Sequence, residues 1–435
     1  MNDETLTLRR AFRFWVPLAA TWLMMAVEGP FLAAVIARLG DPTYNLAAYG
    51  VAYSLALVME APVIMFMSAS TALARNRLSY LRLRNFAHTV NAGVTGAMLI
   101  SLLPPVFNWL AGDLIGLPPE VASRTHTALL ILLPWPATIG LRRFYQGVLI
   151  RHDLTRLVAY GTVIRLAAMG ATAAVFASFS HLEGASIGAA ALTAGVSAEA
   201  VAAALMARGP VKQLLGNLEA PTGAASSYAG LTRFYYPLAL TTLLSLGIHP
   251  VVTFFVGNSR SALESLAVLP VIGALVFVFR SLGLAYQEVV IALIGDDHEG
   301  YRCLRRFAVI LALAVVTGLS LIAWTPLAGV WFRVVSGLPD ALATFALPPT
   351  RILAVIPGLT AILSFQRAIA VVRNTTSAIT WATIIEVLGV VAVLWIAIAY
   401  LDIVGASAAA AALLIGRIGA NLYLAPAMRS RGRGA

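Results

Sequence analysis

Residues 13–19 read RFWVPLA, and residues 233–239 read RFYYPLA. Arg, Phe, Pro, Leu and Ala recur in the same order at an offset of 220 residues. The match continues outward at 220 or 221: LRNFA at 83–87 meets LRRFA at 304–308, and GLP at 116–118 meets GLP at 337–339. TRLVAYGTVIR at 155–165 meets TSAITWATIIE at 376–386, and GASIGAAAL at 184–192 meets GASAAAAAL at 405–413. Apolar composition would align Ala with Leu, but not Pro, Gly and Arg in one register. A whole structural unit is therefore duplicated.

The repeated unit belongs in a membrane. Of 435 residues, 60% are hydrophobic and 11% charged, and the mean hydropathy is +0.86, which excludes a soluble globular chain. Stretches of about 20 apolar residues, enough to cross the hydrocarbon layer, recur from end to end. There are twelve, six per repeat. Because six is even, both copies enter from the same side, and a pseudo-two-fold axis along the membrane normal relates them. The expected fold is an all-α polytopic membrane protein of twelve transmembrane helices in two parallel-repeat six-helix bundles. Residues 1–207 form the first lobe, 208–230 a polar cytoplasmic linker, and 231–435 the second lobe with a short basic tail.

The net charge of +11 is placed by topology. Arg9, Arg10, Arg75, Arg77, Arg82, Arg84, Arg151, Arg156, Arg208, Lys212, Arg302, Arg305, Arg306, Arg373, Arg429, Arg431 and Arg433 fall at the termini or in every second loop. That is the positive-inside pattern with both termini cytoplasmic, so nucleic acid is not the expected partner. The single cysteine, Cys303, excludes an internal disulfide and a Cys-clustered metal site. MNDETLTLRRAFR at the N-terminus lacks a cleavable signal pattern, so the first helix is expected to stay. Neither GxxxxGK[ST] nor GxSxG occurs, and no metal or cofactor is expected. The chain reads as a transporter rather than an enzyme, run by gradients of substrate, H⁺ or Na⁺, and as a monomer.

Ionisable residues inside predicted helices are costly in lipid, and they mark function. Here they are Glu28, Glu60, Arg142, Arg143, Arg165, Glu199, His249, Arg280, Glu288, Arg351, Arg367, Glu386 and Arg417. Glu199, Arg351 and Glu288 read as interfacial residues whose side chains snorkel. At the repeat offset Glu60 meets Arg280 and Arg165 meets Glu386, with the signs exchanged. The expected ion pairs are therefore Glu60 with Arg165, and Arg280 with Glu386.

A second constellation lies on helices four and ten. Arg142 and Gln146 share a face, Gln146 aligns with Arg367, and Arg143, Tyr145 and Gln366 add donors. Guanidinium groups grip carboxylates and phosphates at two points, so an arginine surplus favours anions. The expected substrate-binding residues are Arg142, Arg143, Tyr145, Gln146, Arg165, Arg280, Gln366 and Arg367. Arg142, Arg143 and Gln146 are expected on one wall of a central cavity, with Gln366 and Arg367 opposite. Glu28, Glu60, Glu386 and His249 are the expected coupling or gating residues.

LAAYGVAYSL at 46–55, SHLEG at 180–184, FYYPLAL at 234–240 and PPTRILAVIPGLTAILSFQRAIAVVRNTT at 348–376 resemble the progressive ankylosis (ANK) family in bacterial form. That family is similar in turn to the multidrug/oligosaccharidyl-lipid/polysaccharide (MOP) exporters. The resemblance implies a MATE-like V of two six-helix lobes, alternating access at the inner (plasma) membrane, and export of small polyanions: citrate, nucleotides such as ATP, or pyrophosphate. The chain departs from the family in lacking a long charged C-terminal tail and in carrying Glu28-Gly29-Pro30 in helix one. The alternatives are a cation-coupled multidrug antiporter, with Glu28 or Glu60 as exchange carboxylate, and a lipid-linked precursor flippase. A membrane-embedded enzyme or a scaffold is the reading outside transport.

Overall fold

The computed structural model describes residues 6–428 apart from 221–224, 226, 295–298 and 374. The basic tail with Arg429, Arg431 and Arg433 lies outside the described residues. The first repeat folds as α1 (Leu8–Ala26 and Glu28–Ala37), α2 (Pro42–Ile64 and Phe66–Leu73) and α3 (Arg77–Ser101). It continues through α4 (Pro119–Ile131 and Trp135–Arg151), α5 (Thr155–Phe179) and α6 (Gly184–Met206). The second repeat gives α7 (Tyr228–Leu246 and Ile248–Gly257), α8 (Ala262–Leu284 and Tyr286–Leu293) and α9 (Tyr301–Trp324). α10 (Asp340–Phe345, Leu347–Leu353 and Ile356–Val372), α11 (Thr376–Ala399) and α12 (Gly405–Leu424) complete it. Only helices satisfy every backbone group within one segment in lipid, and no strand occurs among the described residues.

Ten of these helices are long and apolar enough to cross a membrane, and α3 joins them if it is taken with the segment Pro104–Leu114, bent from it by 71°. α4 is the twelfth expected span. It breaks at Leu132–Pro134 and gathers Arg142, Arg143, Gln146 and Arg151, whereas its counterpart α10 passes as one span, Asp340–Val372.

The duplication reaches the backbone. Left-handed residues recur at Asp41 (φ 50°) and Ser261 (φ 54°), and at Gly116 (φ 74°) and Gly337 (φ 71°). π-Helical turns recur at Trp109–Leu114 and Val330–Val335. The Asn45 Oδ1 accepts from the Ala185 N–H at 3.1 Å, and the Ser265 Oγ from the Ala406 N–H at 3.0 Å. Pro30 and Pro250 remove the amides that would bond Ala26 and Leu246, and α1 and α7 break there.

The compact units do not follow the repeat boundaries. One unit is Val35–Gly257, and the other is Met1–Ala34 with Asn258–Ala435. Each holds five helices of one repeat and most of the first helix of the other, so α1 and α7 are exchanged between the compact units. The opening motif explains the exchange. Trp15 of RFWVPLA donates its indole N–H to the Leu282 carbonyl at 3.0 Å, and Tyr235 of RFYYPLA donates its hydroxyl to the Pro62 carbonyl at 2.5 Å. Those carbonyls flank the breaks in α8 and α2, where the helical ladder is interrupted. A carbonyl freed in this way needs a donor in a membrane, and the exchanged helix supplies it.

In the unit Val35–Gly257, small residues bring α6 against its neighbours. A Cβ at Gly188 would lie 2.6 Å from Ile36 Cδ1, and one at Gly195 would lie 3.0 Å from the Arg165 carbonyl. The GASIGAAAL stretch is thus a packing face, as its composition implies. Arg124 binds Asp41 at 2.8 Å and Glu183 at 3.3 Å at one end of this unit, while Arg151 donates to the Thr71 carbonyl at the other. The linker is not wholly irregular: Arg208–Gly216 is a helix that buries Pro210 and Leu214, and the Asn217 carbonyl accepts from the Arg77 N–H. In the other unit, Ala11 of α1 packs with Tyr286, Phe307 and Phe365 of α8, α9 and α10.

Candidate functional site

In the unit Val35–Gly257 the charges converge on Glu199 of α6, whose side chain is 1% exposed. Its Oε2 lies 2.5 Å from Arg142 Nη1 and 3.7 Å from Arg165 Nη1. Its Oε1 accepts from Gln146 Nε2 at 3.0 Å. Arg142 and Gln146 are four apart on α4 and so reach one carboxylate together. A carboxylate this deep is stable only with such multiple, charge-assisted bonds.

Around this hub the cluster is less complete. Glu60 on α2, 7% exposed, lies within electrostatic reach of Arg142, Arg143 and Arg165, yet its buried Oε2 has no hydrogen-bond donor among the described residues. Arg143 donates from Nη1 to the Met67 thioether at 3.7 Å, and its Nε finds no acceptor. A thioether is a weak acceptor for a guanidinium. Arg142, Arg143 and Arg165 here stand around Glu60 and Glu199.

The other unit repeats the design with the signs moved. Glu386 of α11 pairs with Arg417 of α12 at 2.7 Å. Arg417 also reaches Thr360 Oγ1 and Arg367 reaches Thr383 Oγ1, both at 3.5 Å. Arg280 of α8 stands beside Arg367, Arg417 and Glu386 but makes no hydrogen bond or ion pair among the described residues, and the Nε atoms of all three arginines lack acceptors. Three arginines face one carboxylate.

The expected pairs Glu60–Arg165 and Arg280–Glu386 are therefore corrected. Arg165 lies 3.7 Å from Glu199 and Arg417 lies 2.7 Å from Glu386, so these ion pairs join α5 to α6 and α11 to α12. Glu199 is no interfacial snorkeller, because the small-residue face of α6 carries it into the bundle. Arg351 and Glu288 are exposed. Arg142, Arg143, Gln146, Arg165 and Glu60 come together, and so do Arg280, Arg367 and Glu386. Tyr145 instead turns to Tyr80 of α3, and Gln366 donates to the Asn421 carbonyl at 3.1 Å. Glu28 is buried at the break of α1, and His249 is exposed at the break of α7. Two surface cavities, of about 260 Å³ beside Arg333 and Arg351 and about 370 Å³ beside Arg124 and Glu183, include no residue of either cluster.

No family model matches this chain. Its fold does match solved structures. An inward-facing multidrug resistance MATE transporter of the MOP superfamily superposes with a TM-score of 0.76 at 14% identity, over 95% of this chain and 96% of that one. The lipid II flippase MurJ, inward closed, gives 0.72 at 14%, over 94% and 86%. A MOP-superfamily transporter from Pyrococcus furiosus, described by the reverse polarity of its binding pocket, gives 0.61 at 14%, over 99% and 98%. A duplicated, all-helical membrane chain that superposes on these proteins over nearly its full length has the twelve-helix, two-lobe MATE fold.

Proposed function

We propose that this protein is a secondary transporter that exports small polyanions, such as citrate, nucleotides or pyrophosphate, across the plasma membrane by alternating access, with both termini cytoplasmic. One observation carries the reading: three arginines gather inside each unit, and Arg143 and Arg280 have no oxygen acceptor among the described residues. An uncompensated cation in hydrocarbon is costly, and an anion that enters the site supplies the missing charge and acceptors. The duplicated MATE fold supplies two lobes able to rock between inward and outward states. Each charge-assisted hydrogen bond would contribute about 1.5–3 kcal/mol.

The test is flux into and out of liposomes across a panel of citrate, ATP, pyrophosphate, a cationic dye and a lipid-linked diphosphate. Citrate, ATP or pyrophosphate should move, and Arg143→Gln and Arg280→Gln should each weaken binding roughly tenfold, at about 1.4 kcal/mol per decade, in normally folded protein. Unchanged anion affinity in both variants would assign these arginines a structural role. Movement of the dye alone would indicate a multidrug antiporter. Movement of the lipid alone would indicate a flippase, a reading favoured by the likeness to MurJ.

A further inference from the structure

Glu60 is a buried carboxylate whose Oε2 has no donor among the described residues, although three guanidinium groups stand within electrostatic reach. The reason lies in the neighbouring bonds. Arg142 and Arg165 both reach Glu199, and Arg143 donates to the Met67 sulfur. Glu60 is thus held by the field of arginines that bond elsewhere. At the repeat offset its position in α8 is taken by Arg280, which likewise makes no direct bond among the described residues. The duplication has left an anion and a cation at equivalent places, each without a direct bond among the described residues.

We infer that Glu60 is a proton-binding site coupled to the substrate, taking up one proton when an anion occupies the arginines of its unit, so that anion and proton travel together. The inference rests on the anion reading above. Empty, the cluster holds three guanidinium groups against Glu60 and Glu199, and the ionised Glu60 is one of their counter-ions. A bound dianion takes over that task and places like charge beside Glu60 in a low-dielectric site. The ionised carboxylate is then in excess, and an O–H bond forms on it with a proton drawn from bulk water. By linkage, protonation of Glu60 strengthens anion binding by the same factor.

The surroundings favour a proton over a metal cation. Three guanidinium groups would repel Na⁺, and no group of three or more His, Cys, Asp or Glu residues able to hold a metal ion occurs among the described residues. A proton needs only the carboxyl oxygen. Of the helices packed against α2, α4 contributes Arg142 and Arg143, and α6 contributes Glu199, bound to Arg142; Arg165 reaches Glu60 from α5. The α7 hydroxyl of Tyr235 is donated to the Pro62 carbonyl, and His249 of α7 and His88 of α3 are exposed.

Calorimetry of citrate, ATP and pyrophosphate binding to the full chain in detergent, in two buffers of different ionisation enthalpy, counts protons taken up per anion. The wild type should take up roughly one proton, with affinity falling as pH rises. Glu60→Gln should bind the anion more tightly, with no proton uptake and a flatter pH profile. Glu60→Asp should keep the uptake at a shifted midpoint, and it decides the matter if the Gln variant does not fold. Anion binding without proton uptake, equal uptake by Glu60→Gln, or an unshifted midpoint in Glu60→Asp would overturn the inference. If none of the three anions binds, the anion reading itself has failed.

Discussion

Glu199 shows how a single residue escapes a sequence reading. It lies in α6 only seven positions before Met206, in a stretch of alanines and glycines, where an acid reads as interfacial. Its register partner in α12 is Ala420, so the repeat does not flag it, while Arg417 stands at the register of Val196. Only the close approach of α6 to α5 and α4 delivers it to Arg142 and Arg165. Removing one member of a buried pair leaves the other charge uncompensated, at about 3–5 kcal/mol. Glu199→Ala should therefore sharply reduce folded yield and thermal stability in detergent, and pairing it with Arg142→Met should recover a large part of the loss. Equal damage in the single and double variants would show that the two side chains are not coupled.

At the scale of elements, the site depends on how closely α2 and α4 approach. A Cβ at Gly147 would lie 1.9 Å from Ser70 Oγ and 2.3 Å from the Met67 carbonyl, and Ser70 itself donates to the Phe144 carbonyl at 2.8 Å. These contacts fix the turn of α4 that presents Arg142, Arg143 and Gln146. Gly147→Val should push the helices apart, at about 1–3 kcal/mol for overpacking, and weaken anion binding although no substrate-facing side chain changes. Gly93→Ala in α3, where a Cβ meets nothing within 4 Å, is the control and should leave thermal stability and affinity in place. The glycine in QGVLIR could be read from the sequence as helix-weakening, but its partner backbone on α2 could not, because contact between Gly147 and Met67, far apart in the chain, is not a local property.

For the whole molecule, charge sets the orientation. In the unit Val35–Gly257, the ion pairs of Arg124 with Asp41 and Glu183 lie at the end where α2, α4 and α6 begin, and Arg75, Arg77 and Arg151 lie at the opposite end. The proposed orientation follows the positive-inside rule, with the arginine-rich end in the cytoplasm. In a Cys303-free variant, cysteines placed at 41 or 182 should react with an impermeant reagent added outside intact cells, and a cysteine at 212 should react only after permeabilisation. The reverse pattern would invert the topology.

Apolar length, the 220-residue register and the exchanged signs of Glu60/Arg280 and Arg165/Glu386 determined that this chain is a duplicated bundle of membrane helices with charges buried at matched positions. These are properties of spacing along the chain, and spacing is what a sequence records. The choice of partner for each charge was decided by tertiary structure, since an arginine within reach of two acids bonds the one that close helix packing brings nearer. The exchange of α1 and α7 between compact units was decided there too. RFWVPLA and RFYYPLA announced that two helices are equivalent, but the acceptors of Trp15 and Tyr235 exist only because α8 and α2 break and leave the Leu282 and Pro62 carbonyls open.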